Sequence, residues 1–219
     1  MAQRAVNPHG SWITFAGYSV VVAPPDGSFV GDGRDGLFDF DTRILSRHRI
    51  LVNGEPPEFV GGGLLAADRS VAHLTSPPPG GDRAGPLLPQ DLLELVLVRR
   101  VGCGLREWLS LTNHSMADAD IELIVELDAD FADVLDIGRH IEGERTVRWT
   151  PVDRSLEIRF AARQAERVLE RGLRVHVAAA DSAPEFAHGQ FRFRFALPAS
   201  GRWRADLVYA SLVDGRWRD

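Results

Sequence analysis

Apolar residues along this chain recur at every second position in short runs cut by Gly, Pro, Asn and Asp, a pattern that predicts strands. Phe38, Phe40, Ile44, Ile50 and Val52 take even positions, while Asp39, Asp41, Arg43, Arg47 and Arg49 take odd ones. This fits half-buried strands meeting at a polar edge, and Asn53-Gly54 supplies two residues tolerant of positive φ for a tight hairpin turn. Leu92 to Val101 and Leu105 to Thr112 read as a second hairpin reversed by Gly102-Cys103-Gly104, with Glu94, Arg99, Arg106 and Glu107 at solvated or interfacial positions. Ile121, Leu123, Val125 and Leu127 alternate with Glu122, Ile124, Glu126 and Asp128, giving one apolar and one mostly acidic face. In Phe191 to Phe195 three rings point one way and Arg192 and Arg194 the other, the pattern of a core strand.

Trp12 to Ala23 alternates weakly and ends at Pro24-Pro25-Asp26-Gly27, which predicts a first hairpin with Ser28-Phe29-Val30. Phe59-Val60 runs into Gly61-Gly62-Gly63, and a strand follows around Ser70 to Thr75. Later strands are expected at Arg145 to Trp149, Leu156 to Ala161, Leu173 to Ala179, Gln190 to Leu197 and Trp203 to Leu212. Only Ala162 to Arg171 has a helical claim, and its Val168 and Leu169 would equally extend a strand. Ser76 to Pro86, rich in Pro and Gly, reads as a surface loop. Short strands at roughly 8–12 residue spacing imply two packed sheets or one large barrel. The expected fold is all-β with little helix, residues 1–219 forming a single domain. There is no fixed-period repeat of the kind a propeller or solenoid carries.

Composition narrows the partners. A formal net charge of −6 and a pI near 5.6 argue against nucleic acid or an anionic membrane as the dominant partner. No window approaches the ~20 apolar residues of a membrane-spanning helix, and the N-terminal MAQRAVNPHGSW lacks the apolar core of a signal peptide. Cys103 is the single cysteine, so an intrachain disulfide is excluded and a reducing, cytoplasmic setting is expected. All 25 basic side chains are arginine.

Several chemical signals dissolve on inspection. Gly31 to Gly36 matches G-x-G-x-x-G, but its last glycine opens an alternating strand where a dinucleotide site needs a helix, so a mobile turn is expected. Asp128-Ala129-Asp130-Phe131-Ala132-Asp133 with Asp136 resembles a calcium loop. Positions six and twelve counted from Asp128 are Asp133 and Arg139, where an EF-hand needs Gly and Glu. A looser calcium site or an acidic strand end neutralised by arginine remains. The seven histidines form no H-x-x-x-H pair, no serine sits in a G-x-S-x-G elbow, and Cys103 has no local base, so neither a metal nor a cofactor is expected. Glycoside cleavage needs two carboxyl groups ~5–9.5 Å apart. Asp39 and Asp41, two apart on one presumed strand, would stand ~6.5–7 Å apart. The neighbouring Arg43 favours their ionised forms, and so structural pairing over catalysis, with an edge that touches sugar or lines a neighbouring domain's cleft between the two.

The run GLFDFDTRILSRHRILVNGEPP, followed in order by Val98-Arg99-Arg100, Leu105-Arg106-Glu107, Leu111-Thr112-Asn113-His114 and Asp130-Phe131-Ala132-Asp133, resembles the N-terminal domain of bacterial glycogen debranching enzymes (amylo-α-1,6-glucosidases). The resemblance implies a supersandwich-like antiparallel β-sandwich preceding an (α/α) barrel that carries the catalytic acid and base. It implies no catalytic residue in this chain, and leaves open whether the chain by itself is an enzyme. It marks Asp39, Asp41, Thr42, Arg43, Arg106, Glu107, Asp130 and Asp133 as substrate or domain-interface candidates. The implied partner is a helical glycosidase domain in the same or another chain, with α-glucan as the candidate ligand. Two functions follow. One is a non-catalytic domain that docks on the helical domain and shapes its cleft, which an exposed apolar face with an Arg and Asp rim would favour. The other is a stand-alone carbohydrate-binding or assembly module, which a groove lined by Trp12, Trp108, Trp149, Trp203 or Trp217 would favour.

Overall fold

The computed structural model describes residues 10–31, 33–77, 92–135, 137, 143–164, 167–213 and 215–218, and these contain eighteen strands and no helix. In chain order they are β1 (Trp12–Ala16), β2 (Ser19–Ala23), β3 (Phe29–Val30), β4 (Gly36–Asp39), β5 (Thr42–Leu45) and β6 (Arg47–Val52). Next come β7 (Glu58–Ala66), β8 (Arg69–Ser76), β9 (Leu93–Val101), β10 (Leu105–Asn113), β11 (Ala119–Asp128) and β12 (Glu144–Thr150). The last six are β13 (Ser155–Gln164), β14 (Arg167–Ala180), β15 (Glu185–Ala187), β16 (Gln190–Leu197), β17 (Arg202–Val213) and β18 (Arg216–Arg218).

Every pairing between these strands is antiparallel, and they form three sheets. The largest runs β12-β13-β14-β17-β10-β9-β8-β7, with β18 beside β17. Facing it are a four-stranded sheet, β1-β2-β4-β5, and a five-stranded sheet, β15-β16-β11-β6-β3. Ser46 alone separates β5 from β6, so the two smaller sheets follow one another along the chain. The core lies between the layers. Leu93, Leu95, Leu97, Leu105, Leu109 and Leu111 come from the large sheet, and Val21, Leu37, Ile50, Leu123, Phe191 and Phe193 from the opposing layer. Each such side chain contributes ~1.5–3 kcal/mol on burial. This is the sandwich that the alternation predicts, and Gly102-Cys103-Gly104 reverses β9 into β10 as expected, with the Gly102 N–H bonded to the Gly104 carbonyl at 2.9 Å.

The local differences have physical causes. The first hairpin closes at Gly17-Tyr18 inside the expected Trp12 to Ala23 strand, because Gly17 accepts a φ of +58°. Pro24 to Gly27 instead carries the chain across to β3, which joins the other small sheet beside β6. The run through Phe38 and Phe40 is likewise a hairpin: Phe40, at a φ of +51°, turns β4 into β5 and leaves the alternation in exposed territory. Asn53-Gly54 does form the tight turn, with Val52 and Glu55 exchanging backbone hydrogen bonds of 2.9 and 3.2 Å. Pro56-Pro57 then ends the pairing, since proline offers no donor, and the chain crosses to the large sheet. The three glycines at 61–63 lie within edge strand β7, whose register is broken by two bulges. The described part of Ala162 to Arg171 is strand and not helix, in a β13–β14 ladder. Ser76 ends β8, and the expected loop from residue 78 onward, together with Asp136, lies outside the described residues.

Candidate functional site

Parity places Arg99 and Glu107 on the apolar face of the β9–β10 hairpin, directly opposite one another, and both are buried. The expectation of solvated or interfacial positions is therefore wrong for these two. Arg99 Nε donates to Glu107 Oε1 at 2.6 Å, and Arg99 Nη2 donates to His48 Nδ1 at 3.0 Å. Arg has only donors, so Nδ1 is the acceptor, and the His48 proton sits on Nε2, which donates to Glu107 Oε2 at 2.9 Å. The Tyr209 hydroxyl donates to the same oxygen. His48 belongs to β6 and the other three to the large sheet, so the cluster ties the layers together through their interior.

Burial lowers the His48 pKa below its ordinary value of 6.5 despite the opposing pull of Glu107, which leaves the ring neutral near pH 7. Burial also pushes Glu107 up, but the charges and hydrogen bonds of His48, Arg99 and Tyr209 outweigh it and hold the carboxyl far below its usual range. Burial and the Glu107 carboxylate raise Tyr209. The cluster is one guanidinium against one carboxylate, with two neutral groups completing the hydrogen bonds. A carboxylate held ionised in the core neither donates a proton nor meets a substrate, so Glu107 has a structural role.

Asp39 and Asp41 do not form a facing pair, because the β4–β5 turn separates them. Asp39 is buried between layers, where it accepts from Ser19 Oγ at 3.0 Å and from Ser211 Oγ, with Arg218 Nε 3.4 Å away. Asp41 is exposed and contributes its backbone carbonyl to the Val134 N–H at 2.8 Å. Arg43 pairs with neither aspartate side chain. Its guanidinium binds the Asp130 carboxylate, with Nε 3.1 Å from both oxygens, and donates to the carbonyls of Gly33 (2.7 Å), Asp35 (3.3 Å) and Gly31 (3.3 Å). Gly31, Gly33 and Asp35, from the run expected to be a mobile turn, are thus held by a buried arginine. Thr42 bridges Asp133 through the backbone and accepts from Arg171 Nε at 3.2 Å. Thr42, Arg43, Asp130 and Asp133 are therefore brought together at one edge. Arg106 stands apart on the outer face of the large sheet, paired with Asp206 at 2.5 and 3.0 Å and lying over Trp108.

The five tryptophans do not line one groove. Trp203 is buried against Phe193 and Phe195, Trp149 packs on Phe186 and Phe191, and Trp12 meets Phe59 edge-on. Trp217 lies under Arg174 and Trp108 under Arg106. Among the described residues no group of three or more His, Cys, Asp or Glu could hold a metal ion. None of them forms a helix able to cross a membrane.

Exposed apolar side chains gather on two edge strands that meet. Ile13 and Phe15 on β1, and Val60, Leu64 and Leu65 on β7, are each at least half exposed. Both strands are sheet edges, and the Phe15 N–H bonds to the Ala67 carbonyl at 2.8 Å, which brings β1 to the β7–β8 turn. Tyr18, 65% exposed, stacks on Phe40 with ring centroids 4.5 Å apart just beyond Phe15. Asp68 and Arg100, paired at 3.2 Å, and exposed Arg69 supply a charged rim. The sequence does not mark this edge, because Trp12 to Ala23 alternates as one long strand and hides β1 as a separate outer strand.

No curated protein matches the chain. A protein described as a kojibiose phosphorylase from the human microbiome shares the fold, with a TM-score of 0.62 at 12% identity over 93% of this chain. This chain spans 30% of that protein's length. A galactose mutarotase-like protein from Clostridium acetobutylicum aligns over 93% of this chain and 79% of its own, with 10% identity and a TM-score of 0.37. The family described as the N-terminal domain of (some) glycogen debranching enzymes matches residues 16–208, and the chain belongs to it.

Proposed function

We propose that this chain is the non-catalytic β-sandwich domain of a debranching-type α-glucan hydrolase, and that it docks on a helical catalytic domain through the β1 and β7 edge. The carrying observation is the uncovered apolar surface of Ile13, Phe15, Leu64 and Leu65 with its Asp68, Arg69 and Arg100 rim. Scattered exposed apolar side chains are ordinary, but several on two neighbouring edge strands favour a partner surface. Bulges interrupt the β7 ladder, which disfavours an added strand and favours side-chain packing against helices. The burial of Asp39 and Glu107 supports a role without chemistry. The carbohydrate-module alternative lacks the tryptophan groove that would have favoured it.

Isothermal titration of the 219-residue protein with its helical catalytic domain tests the proposal. Binding is expected, at least about tenfold weaker for Phe15→Asp and Leu65→Asp. Release of glucose from branched α-glucan by the 219-residue protein alone, or undiminished binding by both variants, would overturn it.

A further inference from the structure

At the opposite end of the large sheet from β7, the β12–β13 edge and the five-stranded sheet leave a cleft of about 340 Å³. That volume lies near the lower end for small-molecule sites. Its apolar surface comes from Val147, Ile158 and the half-buried Phe186 ring. Val147 is 53% exposed, an apolar side chain that no neighbour covers. Phe186 is braced from behind by Trp149 and Phe191, at centroid distances of 5.7 and 5.2 Å, so its position is set by packing.

The polar lining carries both signs. Arg145 of the large sheet pairs with Asp128 of the opposing layer and spans the opening. Gln190 donates to Glu126 at 3.1 Å and holds that carboxylate in place. Arg47 and His188 also line the cleft, and neither side chain has a hydrogen bond or ion pair among the described residues. The His188 backbone, at a φ of +51°, turns into Gly189, whose carbonyl accepts from the Leu127 N–H at 2.8 Å. Two guanidinium groups and two carboxylates cancel, which disfavours an anion or a cation as the ligand. A neutral ligand with adjacent hydroxyl groups meets this lining well. Its hydroxyls accept from Arg47 and donate to Glu126, while its C–H face lies on the Phe186 ring.

We infer that this cleft is a saccharide-binding site for a short α-linked glucan, separate from the docking edge. The choice of an α-linked glucan over other neutral sugars rests on the function proposed above; the cleft itself does not. With both ends of the sandwich in use, the domain would hold a glucan chain beside the enzyme while its other edge grips the helical domain.

Maltotetraose titrated into the purified protein, followed by calorimetry and by amide NMR, tests the inference. Saturable binding is expected, with shifts centred on Arg47, Phe186 and His188. Arg47→Ala should weaken it at least about tenfold without changing thermal unfolding, since Arg47 is exposed, and Phe186→Ala should weaken it likewise while lowering thermal stability through the packing lost against Trp149 and Phe191. Absence of binding up to about 10 mM, or equal affinity in the parent and both variants, would overturn the site. Equal affinity for cellotetraose would overturn the α-linked assignment. Docking is read separately, because Arg47→Ala should bind the helical catalytic domain like the parent.

Discussion

Replacing Glu107 by Gln tests whether the interior ion cluster is a single charge pair sealed in the core. Glu107 accepts from Arg99 at 2.6 Å, from His48 at 2.9 Å and from Tyr209, and the side chain has no exposed surface to relax into. Glutamine keeps the shape but leaves the Arg99 charge uncompensated, and it turns an NH2 donor toward donors that a carboxylate oxygen satisfied. Breaking a buried pair in this way costs about 3–5 kcal/mol. At ~2–4 °C per kcal/mol for a chain of this size, the melting temperature should fall by about 6–20 °C. The double variant Arg99→Met, Glu107→Leu removes both charges and leaves only the neutral His48 and Tyr209 short of partners. It should be more stable than Glu107→Gln alone. Thermal and urea unfolding followed by circular dichroism measures both. A Glu107→Gln protein within ~0.5 kcal/mol of the parent, or a double variant less stable than the single one, would refute the reasoning.

Acid should act on the same cluster. His48 has a lowered pKa, so the unfolded chain binds its proton first and stability falls as pH drops below about 6.5. The lowered Glu107 pKa adds a second loss below about 4.5, and urea midpoints between pH 8 and 4 should decline in that order, with His48→Gln flattening the first step. Arg43→Ala should cost ~2–4 kcal/mol through lost charged hydrogen bonds and should speed amide exchange around residues 33–36, whereas Asp41→Asn, exposed and bonded through its backbone, should stay within ~0.5 kcal/mol. Gly104→Ala would put a Cβ 2.2 Å from the Tyr209 carbonyl oxygen, a backbone atom that cannot swing aside, and should destabilise by ~1–3 kcal/mol in the same unfolding assay.

Period-two alternation made the sandwich legible, because one dry face and one wet face leave the same mark in every strand. The β9–β10 hairpin and Asn53-Gly54 were readable for that reason. Turns formed by unlikely residues were not. Phe40 in the left-handed region carries no turn signal, so Asp39 and Asp41 read as neighbours on one strand when one lies inside and the other outside. The burial of Arg99, Glu107 and His48 is carried by parity, since they share it with Leu97, Leu105 and Ile50 respectively, but their charge and polarity argue the opposite way. Partner choice was beyond the sequence. Arg43 reaches across 87 residues to Asp130, and Asp39 across 172 to Ser211, pairings that only the closed layers define. The uncovered edge escaped because exposure is a property of sheet order, and strand alternation does not report which strands lie outermost.

Amide hydrogen exchange, compared between the 219-residue protein alone and with the helical catalytic domain proposed as its partner, tests the proposed docking most directly. Protection gained at Trp12–Ala16 and Glu58–Ala66, with the β12–β13 end unchanged, is the predicted result. Protection confined to β12 and β13, with β1 and β7 exchanging as they do in isolation, would contradict it.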